Sequence, residues 1–338
     1  MSARFASVTA RAHGKINPYL EVGDLMEDGY HDLVTVFQSL AVAETVTLTV
    51  LPDGSEYTVD ITGPYADEDI PRDASNLALA AVLRLSEATG VHVPVAVTID
   101  KHVPVAGGMG GGSADAAAAL LAYSHLIGGV DEDLLAEVAS ALGADVPFAL
   151  HGGTMLGTGH GDDLTPVLTR GTYHWVLATS TGMLSTPAVY RKLDELRAAR
   201  SEGSDPAVDG TPEEDGTSEA PRASAAEPAD AAPVLAALAH GDPAALAEAV
   251  HNDMTDAAVA LLPDVAHVMG TGIRAGALRA LVSGSGPTVG FLVADDRHAL
   301  DIAVLLSASR GVRHVVRTHG PASGAEILAA RPWEPSGD

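Results

Sequence analysis

The segment Pro104–Leu121 reads PVAGGMGGGSADAAAALL, with five glycines among the six residues from Gly107 to Gly112. A strand pattern leads into the run, and Ser113 opens an alanine-rich helix after it. Glycines let backbone amides approach an anion closely, and a helix start adds unpaired N–H groups and a positive dipole end. Together they cradle phosphate. The run lacks the Lys-Ser/Thr pair of a P-loop, and counted from Gly108 the third glycine of the dinucleotide fingerprint is Ser113. The alternative, a flexible strand-to-helix connection, would burden folding with glycine entropy for no return. Anion binding is the favoured reading.

Three further places carry groups capable of chemistry. Lys15, in Arg11–Leu20 (RAHGKINPYL), lies between apolar positions beside Asn17. Its ammonium could pair with a carboxylate or a phosphoryl oxygen, or it could be a strand lysine snorkelling to water. Asp145, in GADVPF (143–148), follows a helix-ending glycine among apolar residues. It is buried with partners, functional, or an N-cap. Tyr30 and His31 follow the Asp28-Gly29 turn signal. They could stack on and hydrogen-bond a flat base, or pack on the surface. Two more glycine turns, GGTMLGTGHG (152–161) and SGSGP (283–287), carry no G-x-S-x-G elbow. HExxH is absent, Asp162-Asp163 lacks a third aspartate, and the histidines show no metal-ligand spacing.

Composition narrows the classes. The chain has 338 residues, enough for two domains, and 46% apolar but only 4% aromatic residues, so its cores must be built from Ala, Val and Leu. A formal charge of −26 repels phosphate backbones and anionic bilayers, so neither nucleic acid nor membrane is an expected partner. Without cysteine, disulfides, thiolate metal sites and thiol nucleophiles are excluded. No basic-then-apolar leader and no uncharged run of spanning length are present, so a soluble, cytoplasmic protein is expected. Lys15, Lys101 and Lys192 stand against sixteen arginines. With arginine as the surface cation, a lysine is expected where a compact ammonium is needed.

The elements that must position these residues alternate between strand and helix. Val46–Leu51, Tyr57–Ile61 and Val93–Ile99 read as strands, and Asn76–Thr89, Ala114–Leu126 and Leu134–Leu142 as helices. Trp175–Thr179, Val289–Ala294 and Val312–Thr318 follow as strands. Pro233–Ala239, Pro243–Asn252, Asp256–Leu262 and Ala299–Ser309 read as helices. Mixed order without a strict βαβ repeat argues α+β. From Ser201 to Pro233 nine acids, one base and one large aliphatic residue predict a disordered acidic insertion.

Taken in order, these pieces resemble the GHMP kinase superfamily. GKINPYLEVG and DGYHDLVTVFQSL resemble its opening, PVAGGMGGGSADAAAAL its phosphate loop, LGADVPFAL its catalytic segment and SGSGPTVGFL its third glycine motif. The pairing of GYH with GADVP is similar to the branch that phosphorylates the 2-hydroxyl of a methylerythritol unit carried on cytidine diphosphate, in non-mevalonate isoprenoid synthesis.

The resemblance implies two domains: an ATP-binding domain over residues 1–161 with a left-handed βαβ crossover, and a ferredoxin-like substrate domain over 162–338. It implies Asp145 as the base and Lys15 as the ammonium that keeps it ionised and stabilises the transferring phosphoryl group. ATP phosphates would lie on Gly107, Gly108, Gly110, Gly111, Gly112 and Ser113, with Pro104 leading in, and Asn76 and Lys101 lining the adenosine pocket. A magnesium ion is implied, with no ligands assigned. Tyr30 and His31 would recognise cytosine with Tyr190 as the second aromatic face, and Asn17 and Thr186 would orient the substrate. A small-molecule substrate and a monomer or weak homodimer are expected. Homoserine and mevalonate kinase types, and a catalytically silent nucleotide-binding regulator, are the alternatives; a nucleobase pocket argues against the first two, and Lys15 with Asp145 against the third.

The sequence departs from the family at three positions. Ala114 replaces the second serine of the loop, Met109 a leucine, and Pro18 follows Asn17 where it should end the local strand early.

Overall fold

Two long antiparallel strands, β1 (Phe5–Leu25) and β2 (His31–Val50), form the spine of a computed structural model that describes residues 3–26, 29–105, 107–202 and 228–333. Their outer halves alternate as a one-sided sheet should: Val8, Ala10, Ala12, Val46 and Leu48 are fully buried between more exposed neighbours. From Ala12 to Leu20 the alternation stops and every residue is buried, because cores lie against both faces there. Pro18 does not end β1. The four residues of β1 from Ile16 to Tyr19 oppose three of β2, and this bulge takes up Asn17 and Pro18 against Phe37, so that the missing N–H of Pro18 interrupts no ladder.

The first sheet continues through β3 (Thr58–Thr62), α1 (Leu77–Thr89) and β4 (Val95–Asp100). β3 and β4 are parallel neighbours joined through α1, the βαβ unit on which the crossover is expected. Asn76 caps α1 by accepting from the Ala78 and Leu79 amides, and Gly90 at φ 66° ends it. Next come α2 (Gly111–Ile127), α3 (Glu132–Leu142) and α4 (Asp145–His151), then a hairpin of β5 (Thr154–Thr158) and β6 (Asp163–Pro166) laid on β2. The alanines of α2 are buried, which lets that helix lie close against both α1 and the sheet.

β7 (Tyr173–Ser180) opens the second sheet and is followed by α5 (Thr186–Glu202), α6 (Ala232–His240), α7 (Pro243–Ala249) and β8 (His251–Asn252). Then come α8 (Thr255–Leu261), α9 (Asp264–Arg274), β9 (Arg279–Val282), β10 (Val289–Val293), α10 (Asp296–Ser307), β11 (Val312–Gly320) and β12 (Glu326–Pro332). The strands run β11-β7-β10-β9, all antiparallel, with helices between the first and second and between the third and fourth in chain order. That is a ferredoxin-like arrangement, and the architecture is α+β. The division expected between 161 and 162 falls inside the β5–β6 hairpin, and β12 returns to pair with β1.

Most of the expected acidic insertion, residues 203–227, lies outside the described residues. Its margins are corrected: α5 runs to Glu202, and a 3₁₀ turn at Pro228–Ala231 leads into α6. Ala231 is fully buried there, so small apolar residues anchor the end that charge counting assigned to the insertion. The helix expected over Pro243–Asn252 stops at Ala249. His251 and Asn252 pair with β1 instead, and the Asn252 amide donates to the Val282 and Gly284 carbonyls. Among the described residues no helix is long and apolar enough to cross a membrane.

Candidate active site

The glycine run leaves β4 through Lys101–Val105 and ends in the first turn of α2. Gly108 and Gly110 take φ 70° and 68°, the left-handed region that favours glycine, and Gly110 is the N-cap of α2 without a side-chain cap. The first amides of α2 therefore have no partner from a capping side chain, as an anion site requires. Two other motifs brace the loop. The Lys15 N–H donates to the Met109 carbonyl (2.9 Å), and the Ser283 hydroxyl donates to the Gly108 carbonyl (3.0 Å). A side chain at Gly108 would run into the Ser283 backbone, so the SGSGP turn is packed directly on the loop.

Lys15 is 6% exposed. Its Nζ donates to Asn17 Oδ1 at 2.6 Å and lies 3.5 Å from Asp145 Oδ2, with the Phe37 ring centroid 5.6 Å away. Asp145 opens α4, whose N-cap, Ala144, makes no side-chain cap. It is one-third exposed and faces a cavity of about 720 Å³. A Cβ placed on Gly110 would lie 3.0 Å from Lys15 Cγ and 3.9 Å from Asp145 Oδ2, which puts the ion pair against the glycine loop.

The same cavity joins Lys15, Asn17, Gly108, Ser113 and Asp145 to Tyr30, His31, Thr186 and Tyr190. The Thr186 and Ser285 hydroxyls are hydrogen-bonded at 2.8 Å, and Asn17 Nδ2 donates to Thr35 Oγ1. Tyr30 is 65% exposed and tilts against His160. His31 is buried, with Nε2 3.0 Å from Asp194 Oδ1, and its ring stacks on Tyr190. One face of Tyr190 is thus already covered by His31. Burial, and after it the Asp145 charge, pushes the Tyr190 phenol up to about 12.

Other expected residues stand apart from this cavity. Gly107, Gly111 and Gly112 build the loop, with Gly107 against Thr288 and Gly112 beside Leu77. Asn76 spends its side chain on the α1 cap and on the Pro71 carbonyl. Pro104 is buried behind the loop. Lys101 turns inward to Glu44 and Asp115. Burial raises both carboxyls, Asp115 to about 7, against the opposing pull of Lys101. Burial also works against the Lys101 charge, but Asp115 and Glu44 outweigh it and hold its pKa above the usual value. Sequence reasoning missed Phe37, Arg191, Asp194 and Ser285 on the cavity wall. Asp194 lies one helical turn from Tyr190, and that spacing was the available signal.

The model of the GHMP kinases N terminal domain matches residues 76–153, and that of the GHMP kinases C terminal matches 234–308. The 4-diphosphocytidyl-2-C-methyl-D-erythritol kinase of Leifsonia xyli is 48% identical over 326 residues, covering 96% of this chain and 99% of that protein. Its namesake in Mycolicibacterium smegmatis is 46% identical, covering 96% and 93%. A crystal structure of 4-(cytidine 5'-diphospho)-2C-methyl-D-erythritol kinase is 28% identical with a TM-score of 0.68, over 93% of this chain and 100% of that one. Mevalonate kinase of L. major shares the fold, with a TM-score of 0.73 at 15% identity over 98% and 99% of the two chains. By these matches at both ends and along its length, the chain belongs to the GHMP kinases, in the family of the 4-diphosphocytidyl-2-C-methyl-D-erythritol kinases.

Proposed function

We propose that this chain transfers the γ-phosphoryl group of ATP to the 2-hydroxyl of 4-diphosphocytidyl-2-C-methyl-D-erythritol, a step in non-mevalonate isoprenoid precursor synthesis. The observation that carries the reading is the Lys15–Asp145 pair, 3.5 Å apart against the glycine loop, in a cavity whose far wall is aromatic. Phosphoryl transfer asks mostly for positioning and charge stabilisation. Asp145 accepts the hydroxyl proton. The Lys15 ammonium lies beside that carboxylate and faces the charge that develops on the transferring group. The amides from Gly107 to Ser113 hold the phosphates, and the α1 N-terminus at Asn76 borders the adenosine. Asn17 and Thr186 orient the methylerythritol, while Tyr30, His31 and Tyr190 receive the cytosine.

Among the described residues no three His, Asp or Glu side chains gather as a metal site. The Ser113 hydroxyl and the Asp145 carboxylate are hard oxygen donors on the cavity wall, which suits a magnesium ion whose other ligands are phosphate oxygens. Such an ion neutralises phosphate charge when bound.

A coupled assay offering the cytidyl substrate, homoserine and mevalonate tests the reading, repeated with Asp145→Asn. Turnover is expected on the first acceptor alone, falling by about 10²–10⁴ in the variant. Preference for homoserine or mevalonate would overturn the substrate, and nucleotide binding without any turnover would mark a silent regulator.

A further inference from the structure

Glu44, Lys101 and Asp115 form a buried three-charge cluster that phosphoryl transfer does not use. The Lys101 ammonium lies 2.6 Å from Glu44 Oε1 and 2.6 Å from Asp115 Oδ2, with side-chain exposures of 4%, 0% and 7% in that order. Such a cluster is a poor device for stability. Desolvating three charges offsets most of their attraction, and well-packed apolar residues of similar volume hold a core as well or better. Asp115 Oδ1 also has no hydrogen-bond partner, so the cluster is not even fully satisfied.

Its placement along the chain is informative. Lys101 stands at the entry to the phosphate loop, six residues before Gly107, and Asp115 at its exit, two residues after Ser113. Their contact closes the loop from behind. Glu44 fixes that closure to the sheet: its Oε2 accepts the His102 N–H at 2.7 Å from the middle of β2. Glu44 Oε1 also lies only 3.2 Å from where a Cβ on Gly111 would be, in contact with the first residue of α2. The cluster therefore touches the loop at its entry, its exit and the start of the helix.

We infer that Glu44, Lys101 and Asp115 are positioning residues that hold the Gly107–Ser113 amides in register for the polyphosphate of ATP. Lys101 acts from beneath the loop rather than on the adenosine. The inference rests on ATP being the phosphoryl donor.

The test compares Lys101→Met, Glu44→Gln and Asp115→Asn singly, and all three combined, as full-length proteins. The triple variant removes every charge at once, so it leaves no unpaired buried ion to unfold the protein. Steady-state kinetics gives KM for ATP and for the cytidyl substrate separately, calorimetry gives ADP affinity, and thermal melts establish folding. In folded variants KM for ATP should rise about tenfold or more and ADP affinity fall in parallel. KM for the cytidyl substrate should stay within twofold, and kcat at saturating ATP within threefold. An unchanged KM for ATP in the folded triple variant overturns the inference, as does an equal rise in both KM values. Wild-type protein that neither binds ADP nor turns over ATP would instead sink the donor assignment beneath it.

Discussion

His31 and Tyr190 lie ring against ring, their centroids 4.9 Å apart and their planes 18° from parallel. The His31 edge is held by Asp194 and the Tyr190 ring by burial, so the pair is a fixed wall rather than two jaws of an open slot. Tyr190→Ala should raise KM for the cytidyl substrate by about 3- to 10-fold, the equivalent of about 0.5–1.5 kcal/mol for a lost aromatic pair. KM for ATP should not move. Tyr190→Phe keeps the stacked ring and should stay near wild type in the same kinetics.

Arg191 is a cation on the cavity wall that forms no ion pair among the described residues. In a chain of net charge −26, a guanidinium beside the aromatic wall with no ion pair among the described residues suits a diphosphate. Arg191→Ala should weaken inhibition by cytidine diphosphate by about 10- to 100-fold, matching about 1.5–3 kcal/mol for a charged hydrogen bond. Inhibition by cytidine should hardly change. Equal weakening of both inhibitors would remove Arg191 from this role.

Gly110→Ala and Gly108→Ala should both damage catalysis, for two reasons that a control separates. Each glycine has a positive φ that disfavours alanine by roughly 1–2 kcal/mol. Gly110→Ala also presses on Lys15 and Gly108→Ala on the Ser283 backbone. Gly129 has φ 95° but nothing within 4 Å of an added Cβ. Gly129→Ala should lower only the melting temperature, whereas the loop variants should lose about 10²-fold or more in kcat/KM for ATP.

Asp115 makes stability fall with rising pH. Its folded carboxyl titrates at about 7, raised by burial, while in the unfolded chain it titrates as an ordinary aspartate. Between those values the folded protein holds a proton that the unfolded chain releases. The associated stability is present on the acid side and lost as pH rises through about 7. Burial lowers the His13 pKa, which works the other way near neutrality, but equally in any Asp115 variant. Thermal melts from pH 5.5 to 8.5 should therefore fall more steeply up to about pH 7 in wild type than in Asp115→Asn, and run parallel above it.

The groups proposed to do the chemistry were legible because each broke a local pattern. Lys15 is an ammonium in an apolar strand, Asp145 a carboxylate among apolar neighbours, and the glycines a run longer than a simple strand-to-helix turn requires. The structure brings Lys15, Asp145 and the loop together. The second sheet was legible in three of its four strands, whose β-branched runs stand between clear turns. The length of β1 was not, since two-sided burial erases the alternation and Pro18 reads as a stop. The direction of Lys101 was hidden too, because one of its partners, Glu44, is 57 residues away in sequence. A lone acid inside the alanine run at Asp115 was the one available hint. α5 shows no clean apolar stripe, and its contact with α8 is purely tertiary.

The pairing of β12 with β1 reaches beyond the finished molecule. During synthesis the first half of the chain leaves the ribosome long before residues 326–332 exist. Until they arrive, β1 is an open edge whose backbone groups could recruit another chain. A protein cut short before Glu326 would carry that open edge permanently, with Lys15, Asp145 and the glycine loop still aboard.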